Sequence, residues 1–300
     1  MASQSITFIG IGNMGLAAVL ALLKSDSSIT IWNRTVTRPQ VQTAVGAGAV
    51  LEEDLGKALS KSAMVFICLL DYGKIRQSLE AIRASSPSVL AGKTVVNLTN
   101  GTPRQAREMH SWLQETWNVE RYFDGAIMVT PQMVGGPHSF LVASGEDEAA
   151  FSEPSRLLSP IGNPQYLGPD IAAAARYDLA ALSTMYGLFS GSFIGMALLK
   201  RSPNPSIGKI VKESIVPFLT ALVPYIGEIA TAWDEERWED NMGNPVLMQL
   251  EGVRNIVAAC EEEGVDSSFM TNLVNLMEKV VEQHGGDAGV TAVGKLLLKD

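Results

Sequence analysis

The chain has 300 residues and a formal net charge of −9, with 46% hydrophobic and 18% charged residues. This length suggests about two domains, and the composition excludes an intrinsically disordered chain. The negative charge disfavours binding to nucleic acid through phosphates. It does not exclude a phosphorylated cofactor, which needs only a local cluster of positive side chains.

The cysteines indicate the cellular compartment, and the histidines indicate whether a metal site is present. Two cysteines, Cys68 and Cys260, give no disulfide framework and indicate a reducing compartment, which we take to be the cytoplasm. The first residues, MASQSITFIG, lack the basic and apolar regions of a signal peptide. The three histidines are scattered without metal-ligand spacing, so we predict no metal site.

The first 168 residues alternate apolar runs with amphipathic stretches. The apolar runs predict strands at 5–10, 28–33, 64–70, 94–99, 122–127 and 140–144. Between them, helical patterns cover 13–24, 53–60, 73–84 and 103–117. Strands that alternate with helices indicate a mainly parallel sheet. The fold class predicted for residues 1–168 is therefore an α/β Rossmann domain.

A glycine motif follows the first strand. Gly10, Gly12 and Gly15 form G-x-G-x-x-G between an apolar strand and a helical pattern. The first glycine permits a tight turn, the second lets a pyrophosphate approach the backbone, and the third allows close packing of helix on strand. In this context the motif predicts a dinucleotide site at the N-terminus of the helix.

The residues after the second strand indicate which dinucleotide is bound. NAD-preferring domains carry an acidic residue there, which binds the ribose 2′-hydroxyl. This chain has Asn33 instead, followed by Arg34, Thr35 and Arg38. Two positive charges and a hydroxyl favour a 2′-phosphate, so we predict NADP(H) as the cofactor. The alternative is a solvated loop that happens to be basic.

The remaining chain, residues 169–300, is predicted to be an all-helical domain. Pro169 and Asp170 provide a break and a helix cap, and a long interdomain helix is expected from Ile171 towards Lys200. Further helical patterns cover 210–234, 245–263, 267–284 and 287–298.

The segment 179–199 contains no charged residue and is long enough to cross a bilayer. We favour a core or interface helix because the segment is rich in Gly, Ser, Ala and Thr, and because no second comparable span is evident. A helix of this length cannot bury its whole circumference in one small domain. We therefore predict a homodimer with intertwined C-terminal helices and no membrane or nucleic-acid partner.

Several motifs carry a family resemblance: FIGIGNMG with WNRT, NLTNGTP, GAIMVTPQMVGGP, DLAALSTMYGLFSG and LMQLEGVRNI. Together they resemble the β-hydroxyacid dehydrogenase superfamily, and most closely its imine reductase branch with the fungal reductive aminases. The resemblance covers residues 5–295. It implies NADPH-dependent reduction of C=N bonds, including reductive amination of ketones or aldehydes with small amines.

The chain departs from the hydroxyacid dehydrogenases at one position. Those enzymes carry a catalytic lysine on the interdomain helix, where this chain has Asp178 and no lysine between Lys93 and Lys200. A carboxylate suits an amine or iminium substrate and repels an acid. The resemblance implies that Asp178 assists the amine, Tyr186 supports the substrate or its proton transfer, and Asn100 hydrogen-bonds the reacting group.

The resemblance also implies further contacts. The cofactor-binding residues expected are Gly10, Ile11, Gly12, Asn13, Met14, Gly15, Asn33, Arg34, Thr35, Arg38, Leu69, Leu70, Asn100 and Val129. The substrate-pocket residues expected are Met248, Gln249 and Leu222.

Structural roles are the alternatives for the site residues. Asp178 can be a solvated residue in the first turns of a helix, Tyr186 and Met248 core residues, and Asn100 a turn residue before Thr102–Pro103. Two other functions are also consistent with the fold: a carbonyl or alcohol oxidoreductase of the hydroxyacid dehydrogenase type, and a non-enzymatic NADP(H)-binding sensor.

Overall fold

The computed structural model describes residues 5–25 and 27–298. The extreme ends of the two predicted domains, residues 1–4 and 299–300, lie outside the described residues, and so do the first four residues of the stretch MASQSITFIG. The chain forms two compact units, Met1–Leu182 and Ser183–Asp300. The predicted domain boundary after residue 168 stays a prediction.

The first unit is built on one eight-stranded sheet in the order β3-β2-β1-β4-β5-β6-β7-β8. Every strand pair is parallel except β6–β7, which is antiparallel. The strands are β1 (Ser5–Ile9), β2 (Ser28–Trp32), β3 (Val50–Leu51), β4 (Met64–Ile67), β5 (Thr94–Asn97), β6 (Arg121–Ile127), β7 (Phe140–Ser144) and β8 (Asn163–Tyr166). The predicted Rossmann domain with a mainly parallel sheet is confirmed.

Helices connect these strands: α1 (Asn13–Leu22), α2 (Pro39–Gly46), α3 (Leu55–Ser60), α4 (Tyr72–Glu80), α5 (Pro103–Trp117) and α6 (Glu148–Leu158). Successive residues of a strand belong to different hydrophobic clusters, one on each face of the sheet. Phe8 and Phe66 belong to the cluster on one face of the sheet, whereas Ile9 and Val65 belong to the other. Both faces are therefore covered, which explains the continuous apolar runs of β1 and β4.

Capping residues set where several helices begin. Asp54, Asp71 and Asp147 each accept a backbone N–H in the first turn of α3, α4 and α6. Thr102 and Gln105 form a reciprocal capping box at α5. This explains why α5 matches the predicted range 103–117.

Five elements of the first unit were not predicted: β3, β8, α2, α6 and a short 3₁₀-helix at Pro131–Met133. β3 has only two residues, and β8 reads NPQY, with a proline and two polar amides. α2 has eight residues, and α6 carries Pro154 inside it. These elements form because neighbouring strands and helices supply their partners, and short polar segments carry little periodic signal of their own.

The second unit is helical. It contains the later part of α7 (Ala173–Lys200), followed by α8 (Ile207–Ile210), a π-helical stretch (Val211–Ile215), α9 (Val216–Asp234), α10 (Val246–Glu263), α11 (Ser268–His284) and α12 (Thr291–Lys295). Its core contains Val246, Leu250, Met277 and Val280, from α10 and α11. The helix predicted at 287–298 is much shorter in the structure, where α12 covers only five residues.

Two of these helical segments correct the expectations about apolar spans. Ala173–Lys200 and Ile207–Asp234 are both long and apolar enough to cross a membrane, so a second comparable span exists. Only 6% of the most apolar window of each segment is buried within the chain. α7 is therefore not a core helix of a single chain. Its predicted role as an interface helix stays a prediction. Length and composition alone are weak evidence for a membrane span.

Candidate functional site

The glycine motif forms a loop where the sheet order reverses, between β1 and β4. Gly10 follows β1 with a φ of +99°, and a Cβ built on it would lie 2.3 Å from the carbonyl oxygen of Cys68. A Cβ on Gly15 would lie 2.0 Å from the Gly10 carbonyl oxygen. At both positions a backbone carbonyl oxygen lies where a side chain would have to be, so only glycine fits. The carboxyl ends of strands at such a reversal are where α/β folds bind ligands.

Gly12 differs from the other two glycines. A Cβ built on it meets no atom of the described residues within 4 Å. It caps α1, and none of the described side chains accepts the first N–H groups of that helix as a cap. Open space beside free helix N–H groups suits an anionic group. The loop therefore fits the pyrophosphate of a dinucleotide.

Asn33 lies at the end of β2 and has an internal role. Its Oδ1 accepts a hydrogen bond from the backbone N–H of Ile11 at 2.9 Å, and its Nδ2 donates to the carbonyl of Thr35 at 2.8 Å. The buried carboxamide thus ties the glycine loop to the segment after β2. The predicted contact of Asn33 with a cofactor stays a prediction.

The basic side chains after β2 are exposed. Arg34, Thr35 and Arg38 are all exposed. They follow β2, which pairs with β1, the strand that leads into the glycine loop. α2 begins directly after Arg38. Gln40 Nε2 donates to Asn13 Oδ1 at 2.9 Å, which links the starts of α1 and α2. Two guanidinium groups without an acidic residue at 33–40 fit the extra phosphate of NADP(H).

The segments after β4 and β6 carry other predicted cofactor contacts. β4 ends at Ile67, so Leu69 and Leu70 follow the strand and do not belong to it. The backbone N–H of Leu69 donates to Thr99 Oγ1 at 3.0 Å, while the Leu70 side chain is 82% exposed. Val129, after β6, is half-buried. Burial raises the pKa of the neighbouring Cys68 to about 12, so this thiol stays protonated and packs as an apolar group.

Asp178 and Asn100 come together in the first unit. Asn100 follows β5 and Asp178 lies in α7, and Asn100 Nδ2 donates to Asp178 Oδ2 at 2.7 Å. Asp178 is only 7% exposed. Burial raises the pKa of its carboxyl group, and the hydrogen bond from Asn100 opposes this rise. The alternative of a solvated aspartate is therefore wrong.

The other predicted substrate residues belong to the second unit. Tyr186 is 60% exposed and stacks edge-on against Phe189, so it is not a core residue of a single chain. Met248 and Leu222 are also exposed, and Gln249 Nε2 donates to the carbonyl of Asn244 at 2.7 Å. How these residues take part in a site stays a prediction.

Comparison with known proteins identifies the family. Residues 5–163 match the NAD binding domain of 6-phosphogluconate dehydrogenase, and residues 170–299 match the C-terminal domain of NADPH-dependent reductive aminase-like proteins. An NADPH-dependent reductive aminase of Aspergillus oryzae is 36% identical over 95% of this chain and 94% of its own length. The chain belongs to the reductive aminase family.

Solved structures agree with this assignment. A reductive aminase of Aspergillus terreus, in complex with NADPH4, cyclohexanone and allyl amine, has a TM-score of 0.88 and 33% identity. The match covers 99% of this chain and 100% of that one. An imine reductase of Myxococcus stipitatus in complex with NADP⁺ has a TM-score of 0.86 and 25% identity, over 98% of this chain and 100% of its own. Like these relatives, the chain is an NADPH-dependent oxidoreductase with a Rossmann domain and a helical C-terminal domain.

One buried polar cluster, next to Asn100, was not predicted from the sequence. Tyr72, Asn97, Tyr122 and Asp124 are buried together where the carboxyl end of β5 pairs with the first half of β6, and three of them donate to Asp124 Oδ1. Burial raises the pKa of Asp124 to about 7. A sequence pattern that could have predicted this cluster is the polar residue at the end of each of the apolar runs TVVN and YFD.

Proposed function

We propose that this chain reduces C=N bonds with NADPH, including imines that it forms from a carbonyl compound and a small primary amine. The single observation that carries the proposal is the buried Asp178, held by Asn100, on the helix where hydroxyacid dehydrogenases carry a lysine. A buried carboxylate favours a cationic amine or iminium over an acid. The cyclohexanone and allyl amine bound by the Aspergillus terreus relative belong to these substrate classes.

The cofactor-binding residues follow from the glycine loop. Backbone N–H groups at the start of α1 would hold the pyrophosphate, and Arg34, Thr35 and Arg38 would hold the 2′-phosphate. Bound NADPH supplies the hydride for the reduction. The chain itself supplies binding, orientation and control of the substrate proton.

Asp178 has the geometry to hold an amine. Its Oδ2 accepts the hydrogen bond from Asn100, whereas its Oδ1 has no hydrogen-bond partner among the described residues. A substrate N–H can donate to this remaining oxygen. Asn100 fixes the carboxylate plane, so the position of the amine is fixed as well.

The raised pKa of Asp178 adds a second role. A carboxylate with a raised pKa is a stronger base, so it accepts a proton from an ammonium or carbinolamine group more readily. The positive charge of an iminium disappears as hydride arrives, so attraction to that charge alone does not accelerate the step. Asp178 therefore acts by holding the amine and managing its proton.

An NADPH-oxidation assay with three substrate sets tests the proposal. We expect oxidation with a cyclic imine, and with cyclohexanone only when a small primary amine is added. Oxidation with cyclohexanone alone would indicate a carbonyl reductase, and reduction of NADP⁺ by a 3-hydroxyisobutyrate-like acid would indicate a hydroxyacid dehydrogenase. Tight NADPH binding without turnover in any set would indicate a sensor.

Tyr186, Met248, Gln249 and Leu222 are proposed to complete the substrate pocket. Tyr186→Phe separates a proton-transfer role from packing, because it removes only the hydroxyl group. A lower kcat with unchanged substrate KM would support proton transfer, while a higher KM alone would support positioning.

We also propose that the chain is a cytoplasmic homodimer whose α7 and α9 helices are covered by the second copy. Phe193, Phe218 and Val223 are each at least 60% exposed in the single chain, an apolar exposure unusual for a monomer. Sedimentation velocity should give a dimer, and Phe218→Lys with Val223→Lys should shift it to monomer. A wild-type monomer without detergent would refute this proposal, and a chain soluble only in detergent would favour a membrane span.

A further inference from the structure

A buried polar cluster lies directly beneath the loop that carries Asn100. Asp124 on β6 is 1% exposed, and its Oδ1 accepts hydrogen bonds from the Tyr122 hydroxyl at 3.0 Å, from Asn97 Nδ2 at 3.0 Å and from the Tyr72 hydroxyl. Asn97 and Asp124 are direct neighbours in the parallel register of β5 and β6. One carboxylate oxygen thus joins α4, β5 and β6.

This cluster holds the chain on both sides of Asn100. On the N-terminal side, the backbone N–H of Thr99 donates to Asn97 Oδ1 at 3.1 Å. On the C-terminal side, a Cβ built on Gly101 would lie 2.2 Å from Cε2 of Tyr72, so the tyrosine ring packs against the Gly101 backbone. Asn100 itself is exposed and depends on its two neighbours for its position.

The cluster and Asp178 are also coupled electrostatically. The negative charge of Asp178 contributes to the raised pKa of Asp124, after the larger effect of burial. Tyr72, Tyr122 and Asp178 are the titratable groups that act on Asp124, besides the neutral Asn97. Asp178 therefore lies close enough to the cluster for its negative charge to act on Asp124.

We propose that Tyr72 and Asp124 are positioning residues for the reaction: they hold the loop that presents the Asn100 amide to Asp178. The proposal rests on the proposed function of the Asn100–Asp178 pair. Tyr72 fixes Gly101 with its ring, and Asp124 fixes Tyr72 through the hydroxyl group. Neither residue needs to touch the substrate.

A matched pair of variants tests this role. Tyr72→Phe and Tyr122→Phe each remove one hydroxyl group that donates to Asp124 Oδ1. Only Tyr72 packs against the loop, because the Tyr122 ring stacks on His110 instead. A role limited to stability would give the two variants similar effects, whereas a positioning role would separate them.

The first measurement is the pKa of Asp178 in the protein without cofactor, from ¹³C-carboxyl NMR of labelled aspartate, assigned by the signal lost in Asp178→Asn. The hydrogen bond from Asn100 lowers this pKa, so a displaced loop raises it. We expect Tyr72→Phe to raise the pKa of Asp178 and Tyr122→Phe to leave it unchanged.

The second measurement is turnover. Misplacement of a catalytic group by about 1 Å can cost ~100-fold, so we expect Tyr72→Phe to lower kcat about tenfold with an unchanged Kd for NADPH. Tyr122→Phe should keep kcat within about twofold.

Equal pKa and kcat values in the two tyrosine variants would overturn the proposal, as would an unchanged Tyr72→Phe enzyme. Failure of the proposed function is distinguishable from this outcome. It would show as a wild-type protein without amine-dependent NADPH oxidation, and the comparison of Asp178 pKa values would still decide whether the cluster positions Asn100.

Discussion

Substitution of alanine at Gly12 and at Gly15 tests the cofactor loop, because the two glycines are three residues apart and serve different purposes. A Cβ at Gly15 would lie 2.0 Å from the carbonyl oxygen of Gly10, and a backbone atom cannot move away by side-chain rotation. A Cβ at Gly12 would meet no described atom within 4 Å. Gly15→Ala should therefore damage the fold, and Gly12→Ala should damage binding.

The magnitude for Gly15→Ala follows from these contacts. Overpacking costs about 1–3 kcal/mol, and a 2.0 Å approach belongs at the upper end. Better helix propensity returns up to about 1 kcal/mol. A net loss of about 2 kcal/mol corresponds to a Tm lower by roughly 4–8 °C for a unit of this size.

Gly12→Ala should have a small effect on stability and a large effect on NADPH binding. Alanine is a poorer N-cap than glycine, which costs no more than about 1 kcal/mol and roughly 2–4 °C in Tm. The added methyl group occupies the space proposed for the pyrophosphate. We expect the Kd for NADPH to rise at least about tenfold, equivalent to about 1.4 kcal/mol.

The assays are thermal unfolding of the protein without cofactor and a fluorescence titration with NADPH. Gly15→Ala serves as the control for loss of binding through loss of fold. Wild-type affinity for NADPH in Gly12→Ala would refute the assignment of the open space to the cofactor. A Gly15→Ala protein with unchanged Tm would refute the packing argument.

Three further predictions concern charge. Arg34→Asp should raise the KM for NADPH about tenfold or more by repelling the 2′-phosphate, whereas Thr37→Asp on the same exposed segment should have a smaller effect; equal effects in steady-state kinetics would contradict a specific contact. Asp178→Ala should lower kcat about 100-fold while the Kd for NADPH changes little, and parallel losses would indicate a structural role. The pKa of Asp124 is raised to about 7 by burial, so the folded chain retains a proton between pH 4 and 7 that the unfolded chain has lost. The free energy of unfolding should therefore fall as the pH rises through this range, and urea unfolding of Asp124→Asn should lack that part of the slope.

The local pattern of the chain determined most of the Rossmann unit. Apolar runs predicted six of the eight strands, and the capping residues Thr102 and Gln105 explain why α5 was located at 103–117. The glycine spacing after β1 predicted a cofactor loop. Each of these features depends on residues close together in sequence, where periodicity and residue type act directly.

Only the tertiary structure brought together groups that lie far apart in the chain. Tyr72 and Asp124 are separated by 52 residues, and Asn100 and Asp178 by 78, so no local pattern reports these pairs. Within the buried cluster the sheet decided the arrangement, because the parallel register of β5 and β6 places Asn97, the last residue of β5, beside Asp124 in the middle of β6. Because Asp124 is buried there, water cannot supply its hydrogen bonds. Its Oδ1 instead accepts hydrogen bonds from three protein donors.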